Sequence, residues 1–435
     1  MKGDGRQPGR GALPRSFRKL SMSDRRKALR ALGLLDGPAW SATGGEGGTL
    51  ELADTMVESS VGWLPVPLGI VTGMKVDGEE LTVPLAVEEP SVIAGATFVG
   101  SVLSQAGGLA TWAAPSLMSA QVFLEAVPPS GERAVLSHRE DVEEQLRRSL
   151  ASLAARGGGY RRMEVLRLAE SSLLRVEFTV DVRDAMGANL LNTAAEELTP
   201  LLESLSGGRK LMAILSNAAS ERRAGARFAL PVARLGALGG AGLSAAETAR
   251  RLVLACAAAR EDQGRALTHN KGIMNGIASL ALATGNDTRA IEAAAHGWAH
   301  RTGRCLPLSE FALEDDSLQG SLELPLPFAA VGGAVGFHPV TRFCLELLGN
   351  PDGPRLARIA AAVGLVQNLA AVLALVTEGI QKGHMKLHAS RLAYQAGARG
   401  AEIRAVAERL SLSGSFRSED AAAALKRLRS GKRKT

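Results

Sequence analysis

At 435 residues, 46% of them apolar, the chain is long enough for two domains with sizeable cores. Its net charge of +7 is uneven: residues 1–30 hold ten Lys/Arg against two Asp, residues 426–435 hold six Lys/Arg and no acid, and the body between carries −7. Basic ends on an acidic body read as solvated tails, and aromatics at 4% are too few to stack successive bases, which excludes a nucleic-acid role for the body.

The expected elements run as follows. Residues 1–20 form a basic, Gly/Pro-containing leader without an apolar targeting segment, expected to be disordered. Arg15 to Leu35 has helical spacing. Residues 62–87 carry short apolar runs broken by Pro65, Pro67, Gly69, Gly73 and Asp77-Gly78, a strand-and-turn pattern. Pro90 opens a helical run from Ser91 to Ala106, closed by Gly107-Gly108. Gly157-Gly158-Gly159 and Ser206-Gly207-Gly208 read as turns. In residues 172–183, Leu174, Val176, Phe178 and Val180 alternate with Arg175, Glu177, Thr179 and Asp181, a half-exposed strand.

A helix follows, with Leu191, Ala194, Leu198, Leu201 and Leu205 on one face. Residues 243–262, 287–302 and 355–395 are further Ala/Leu-rich helices, so the class is α+β. No run of about 18 or more apolar residues is evident, so no segment is expected to cross a membrane. Cys256, Cys305 and Cys344 are odd in number and far apart, and read as reduced thiols of a cytoplasmic protein.

Several segments carry chemistry. Thr268-His269-Asn270-Lys271-Gly272-Ile273-Met274-Asn275-Gly276 sets a lysine among small and apolar residues, and Gly285-Asn286-Asp287 places a carboxylate sixteen residues beyond it. Such a lysine can serve as a fixed cation for an oxygen that turns anionic; a surface lysine in a Gly-rich loop is the plain alternative. Glu88-Glu89-Pro90-Ser91 pairs two carboxylates at a helix start. There they either favour the helix dipole or supply a general acid. Asp184-Ala185-Met186-Gly187-Ala188-Asn189 forms a small-residue turn from strand to helix, suited to a pyrophosphate at a helix N-terminus or to ordinary capping by Asp184. Asp287 is likewise explicable as an N-cap of the helix after it. His296 and His300 stand i,i+4 with Glu292 a turn earlier, but HExxH and a third ligand are missing, so no metal is expected. GxGxxG between strand and helix, a Walker loop and a GxSxG elbow are also missing.

Five segments in order, Val87 to Val92, Asp184 to Asn189, Thr268 to Gly276, Gly285 to Asp287 and Gly379-Ile380-Gln381-Lys382-Gly383-His384-Met385, resemble hydroxymethylglutaryl-CoA reductase of the soluble bacterial type, class II. The resemblance runs from about residue 50 to about residue 410. It implies an α+β fold: a large mixed α/β domain for the CoA thioester (residues 21–114 and 219–378), an inserted small α+β domain for a nicotinamide cofactor without the Rossmann fingerprint (115–218), and a helical C-terminal flap with a basic tail (379–435). It implies reduction of 3-hydroxy-3-methylglutaryl-CoA to mevalonate and CoA by two hydrides.

In the roles so implied, Lys271 stabilises the oxyanion, Asp287 holds Lys271, Glu89 is the general acid, and His384 on the flap protonates the departing thiolate. Ser91, Arg265 and Asn275 meet the substrate, and Asp184, Ala185, Met186, Gly187, Ala188, Asn189 and Asn217 meet the cofactor. A homodimer or larger homo-oligomer is also implied, since members of the family build the site between subunits.

Two departures stand out. Glu58-Ser59-Ser60-Val61-Gly62 replaces the family's Glu-Asn-Val-Ile-Gly. Leu150, near Arg147 and Arg148, stands where NADH-using relatives carry an acid, so NADPH is preferred over NADH; a small offset would bring Glu143 or Glu144 there instead. A catalytically silent acyl-CoA-binding homologue, a polyanion binder acting through the tails, and a reductase of another acyl-CoA are the competing readings.

Overall fold

The computed structural model describes residues 17, 20, 22–32, 50–59, 63–236, 238, 242–377 and 379–431; the side chains of residues 22, 23, 25, 26, 50, 380–387 and 431 lie outside that description. Helices α1 (Met22–Ala31) and α2 (Leu50–Met56) precede the hairpin β1 (Leu68–Val76) and β2 (Glu79–Ala86). Asp77-Gly78 makes its turn, with φ of 51° and 89°. Such positive angles suit Gly and Asp, and the turn signal in the sequence placed it there. Phe17, inside the expected disordered leader, is 4% exposed. It packs in a small cluster with Leu29, Phe343 and Cys344, so at this residue the chain is anchored.

Helix α3 (Val92–Gln105) leads to the short strand β3 (Ala110–Ala113). The chain then leaves the main body and builds a second core. Its elements are β4 (Leu117–Glu125), α4 (Gly131–Ser137), α5 (Arg139–Ser149), α6 (Ala151–Ala154), β5 (Gly159–Arg167), β6 (Leu174–Asp181), α7 (Ala188–Ser206) and β7 (Arg209–Ser216). Four antiparallel strands in the order β5-β6-β4-β7 carry the helices. Leu174, Val176, Phe178 and Val180 enter this core, as the alternation requires. The other face of β6 is less open than the half-exposed reading held: Thr179 and Asp181 are 3% and 6% exposed, because β6 is central and Asp181 is covered by its pair with Arg161 (2.9 Å).

The excursion is closed at its neck. On return the chain forms β8 (Arg223–Pro231), which pairs with β3, and Ala114 N–H donates to Arg223 C=O at 2.8 Å. Arg222 sits in this neck, 4% exposed, donating to the carbonyls of Ala185 (3.0 Å) and Phe328. Burial pulls its pKa down to about 10, against the favourable charges of Asp181 and Asp184.

The main body continues with α8 (Val232–Leu235), α9 (Ala245–Glu261), α10 (Gln263–Ala283), α11 (Thr288–Ala299), β9 (Ser309–Glu314), β10 (Ser317–Pro325), α12 (Gly333–Phe337), α13 (Pro339–Leu347) and α14 (Gly353–Val376). Its sheet has the order β3-β8-β10-β9, and all named strand pairs of the described residues are antiparallel. There is therefore no parallel doubly wound sheet in that set, consistent with the missing dinucleotide fingerprint.

Helix α14 corrects the expectation about apolar segments. By length and composition it could cross a membrane, yet most of it is buried inside the protein. A helix apolar all round needs cover on every side, and α14 finds it against α10, α3 and β8. Close approach to α10 explains two glycines: a Cβ on Gly276 would lie 3.0 Å from Val363 Cγ1, and one on Gly364 would lie 2.7 Å from Ile277 Cδ1.

The run expected as one helix over 355–395 is two. Gly379, at φ 82°, separates α14 from α15 (Ile380–Gln395). Helix α15 packs with α16 (Ala401–Ser413) and α17 (Ser418–Gly431) around Ala389, Leu392, Val406 and Leu410. The expected solvated basic tail is thus helical to residue 431, with Leu425 buried and Arg429 paired to Glu402 at 2.8 Å.

Candidate active site

The segment Thr268–Gly276 is not a loop; it forms the middle of α10. Asp262 caps that helix by accepting from Arg265 N–H at 2.6 Å. Lys271 and Asn275 are one turn apart and share a face. Both point at Glu89: Lys271 Nζ donates to Oε2 at 3.1 Å and Asn275 Nδ2 donates to the same oxygen at 3.4 Å. Glu89 comes from the turn between β2 and α3, 182 residues away in sequence from Lys271. The lysine side chain remains 63% exposed, so the pair is open to a ligand.

Next to it, Ser91 is the N-cap of α3 and holds φ 81°, a left-handed backbone for a residue with a side chain. Strain of this kind costs about 1–3 kcal/mol and is typical of sites whose surroundings over-determine them. Arg391 of α15 donates to the Glu88 carbonyl, which brings the C-terminal helices to the edge of the same turn. His384 belongs to α15, and its side chain lies outside the described residues. Ser60, Val61 and Gly62 of the Glu58 segment lie outside them too.

Behind Lys271, the polar residues of α10 are locked. His269 is 2% exposed, with Nε2 2.6 Å from Ser309 Oγ; Ser309 in turn donates to Asn368 Oδ1 at 2.8 Å. Since the serine proton is used on Asn368, His269 carries its proton on Nε2 and is neutral. Burial, helped by the charge of Arg265, pulls its pKa down to about 4 from 6.5. The unfolded chain therefore takes up this proton first as pH falls. The stability from neutral His269 is present above pH 6.5 and lost between about 6.5 and 4, worth about 3 kcal/mol in all. Urea unfolding at pH 7 and pH 5 should show a larger loss for the wild type than for His269→Gln; equal losses would contradict it.

Asp287 is elsewhere. It caps α11, accepting from the N–H groups of Arg289 (3.0 Å) and Ala290 (3.1 Å). Lys271 stands twelve residues before the end of α10 and Asp287 lies beyond that end, so they are separated by roughly 18 Å of helix axis, too far for contact. The expected Asp287–Lys271 pairing is thus not made within one chain.

Asp287 instead lines a cleft of about 1160 Å³ with Ala185, Met186, Gly187, Ala188 and Asn189. Trp63, which meets His338 edge-on at 5.7 Å, closes one side. Gly187 is the N-cap of α7 with φ 92°, and a Cβ there would come within 2.6 Å of Val182 Cγ1, so backbone alone faces the cleft. Asp184 is neither N-cap nor cleft wall; it accepts from Gly353 N–H at 3.0 Å and ties the excursion to α14. Asn217 is exposed and outside the cleft lining. Leu150 is 1% exposed in the second core, so it presents nothing to a ribose. Arg147 and Arg148 are paired with Glu143 (2.8 Å) and Glu144 (3.3 Å) on their own helix. Arg265 is half-buried, one and two-thirds turns before Lys271 and off its face. Among the described residues no group of three or more His, Cys, Asp or Glu is placed to hold a metal.

A family model for hydroxymethylglutaryl-coenzyme A reductase matches residues 21–389. The chain belongs to this family. The 3-hydroxy-3-methylglutaryl-coenzyme A reductase of Archaeoglobus fulgidus is 39% identical over 419 residues, covering 95% of this chain and 94% of its own. A probable reductase of the same name from Borreliella burgdorferi is 34% identical, covering 78% and 77%. Among solved structures, the reductase from Streptococcus pneumoniae superimposes with a TM-score of 0.79 at 38% identity, over 95% of this chain and 99% of that one. A class II structure from the same organism, bound to NADPH in open conformations, gives a TM-score of 0.78 at 38% identity over 83% and 99%. The reductase family thus accounts for the mixed α+β architecture.

Proposed function

We propose that this protein reduces 3-hydroxy-3-methylglutaryl-CoA to mevalonate and free CoA, with NADPH preferred over NADH, in the cytoplasm. The observation that carries it is the convergence of Lys271, Asn275 and Glu89 on one oxygen at an open surface, in a chain of the reductase family. The balance is one thioester, two reduced cofactors and two protons, giving mevalonate, CoA and two oxidised cofactors. Residues 21–114 and 219–378 take the thioester, 115–218 the cofactor, and 379–435 close the site.

The cleft beside Gly187 fits a dinucleotide: it is large, largely apolar, and floored by a helix N-terminus free of side chain at Gly187. Ala185 to Asn189 would hold the cofactor there, with Asp184 and Asn217 acting from the flanks. The cofactor, when bound, supplies hydride to the thioester carbon and then to the aldehyde carbon. The rest falls to the chain. The Lys271 ammonium donates to the carbonyl oxygen as charge builds on it, where a preorganised donor counts most. Glu89 delivers the proton that completes the alcohol, Asn275 orients Glu89, and His384 protonates the departing CoA thiolate. Ser91 and Arg265 hold the free carboxylate of the substrate, for which arginine's fork of donors is suited.

Asp287 completes the site from a second copy of the chain. The support is the axial separation of Asp287 from Lys271 along α10. Support for NADPH is the NADPH-bound relative; the paired state of Arg147 and Arg148 adds none. Nicotinamide absorbance in the presence of hydroxymethylglutaryl-CoA, compared for NADPH and NADH, tests the reading. Expected is consumption of two cofactors per thioester, faster with NADPH. A folded protein that binds the thioester without oxidising either cofactor would be a silent homologue.

A further inference from the structure

The β3-β8-β10-β9 sheet buries one face, with Ala224, Ala226, Phe228, Leu322 and Leu324 in the main core. Its opposite face is the floor of a second cleft, of about 580 Å³. The register puts Trp112 opposite Gly225, Gly225 opposite Glu323, and Arg227 opposite Ser321, which itself stands opposite Glu310. These residues therefore share one face of four strands. Trp112 lies across Gly225 so closely that a Cβ there would come within 2.3 Å of its Nε1, and the indole stays 41% exposed. Gly225 is thus a seat for an aromatic platform. Over the other side stands Trp298 near the C-terminal end of α11. Its ring is covered by Arg301 at 4.4 Å and Arg223 at 5.2 Å.

Charge is the second observation. The cleft is lined by Arg227, Arg260, Arg301 and Arg304 against Glu310 and Glu323. Glu310 is taken by Arg260 at 2.6 Å, and Glu323 by Arg223. Arg301 donates to the Trp298 carbonyl at 2.8 Å, and the side chains of Arg227 and Arg304 have no ion pair or hydrogen bond among the described residues. A body with a net charge of −7 thus gathers an excess of guanidinium in one concave place, which draws an anion to it. Guanidinium forks match phosphate oxygens in pairs, and an exposed indole beside them matches a base.

We propose that this cleft is a binding site for a free nucleoside diphosphate or triphosphate, separate from both the Lys271 site and the cleft beside Gly187. The aromatic content of the chain is too low for a nucleic-acid surface, but a mononucleotide needs one stacking face and one phosphate cluster. Trp112 takes the base; Arg227, Arg301 and Arg304 take the phosphates.

The test uses the full-length protein with saturating NADPH, ADP and inorganic pyrophosphate as probes, and both calorimetry and tryptophan fluorescence as readouts. ADP should bind and quench fluorescence, and Arg227→Gln with Arg304→Glu should weaken it by about 10-fold or more. Trp112→Leu should weaken ADP while leaving pyrophosphate unchanged, which keeps the test independent of any one variant's folding. Absence of ADP binding, ADP binding untouched by the arginine changes, or equal affinity for pyrophosphate and ADP would each overturn the proposal. None of these outcomes depends on reductase activity.

Discussion

Lys271→Ala is expected to leave a folded protein that oxidises the nicotinamide cofactor in the presence of hydroxymethylglutaryl-CoA with kcat lower by about 10²–10³-fold or more. The two halves of this expectation rest on different terms. The Lys271 side chain is 63% exposed, and its pair with Glu89 is of the surface kind, which contributes about 0–1 kcal/mol to stability. Melting should therefore move little. In the role proposed for it, the same ammonium faces an oxygen that gains a full charge at the barrier, where loss of one donor costs about 3–4 kcal/mol. Steady-state kinetics with thermal unfolding of both proteins checks it. Activity above a tenth of wild type would remove the fixed-cation role from Lys271.

The second large effect is recovery. Lys271→Ala and Asp287→Asn should each be inactive alone, and mixed oligomers of the two should be active. Asn retains a side-chain oxygen to cap α11, whereas Ala would also cost the helix about 1 kcal/mol. If Lys271 of one protomer works with Asp287 of its partner, a mixed dimer has one doubly altered site and one intact site. Random pairing then returns about a quarter of the wild-type sites per chain. Co-expression with two affinity tags isolates the mixed species. Mixed dimers as inactive as the parents would place both groups in one chain, which would require α10 to break.

How much could be read beforehand differs by residue. The hairpin at Asp77-Gly78, the strand Leu174–Asp181 and the helix from Ala188 were legible, because periodicity and turn residues act over a few positions. The capping role of Asp287 was legible for the same reason. Other expectations failed where a distant neighbour decided. Thr268–Gly276 looked loop-like from its glycines, but Gly276 serves close packing against Val363. Asp184 looked like an N-cap, but it faces Gly353, 169 residues away. Leu150 stands by sequence position at a ribose contact, whereas α5 and α6 turn it into the second core.

By itself the sequence determined the α+β class, the family through five ordered motifs, and the residue types that could stabilise an oxyanion or move a proton. These are carried by local pattern and by chemistry that admits few substitutes. The tertiary structure alone decided which of them meet. It set Glu89 against Lys271 and Asn275, sent Asp287 to the Gly187 cleft at the far end of the same helix, and covered an apolar helix long enough for a membrane with protein. A helix rises about 1.5 Å per residue and cannot fold back on itself, so sixteen residues of spacing read as proximity in sequence and became separation in space.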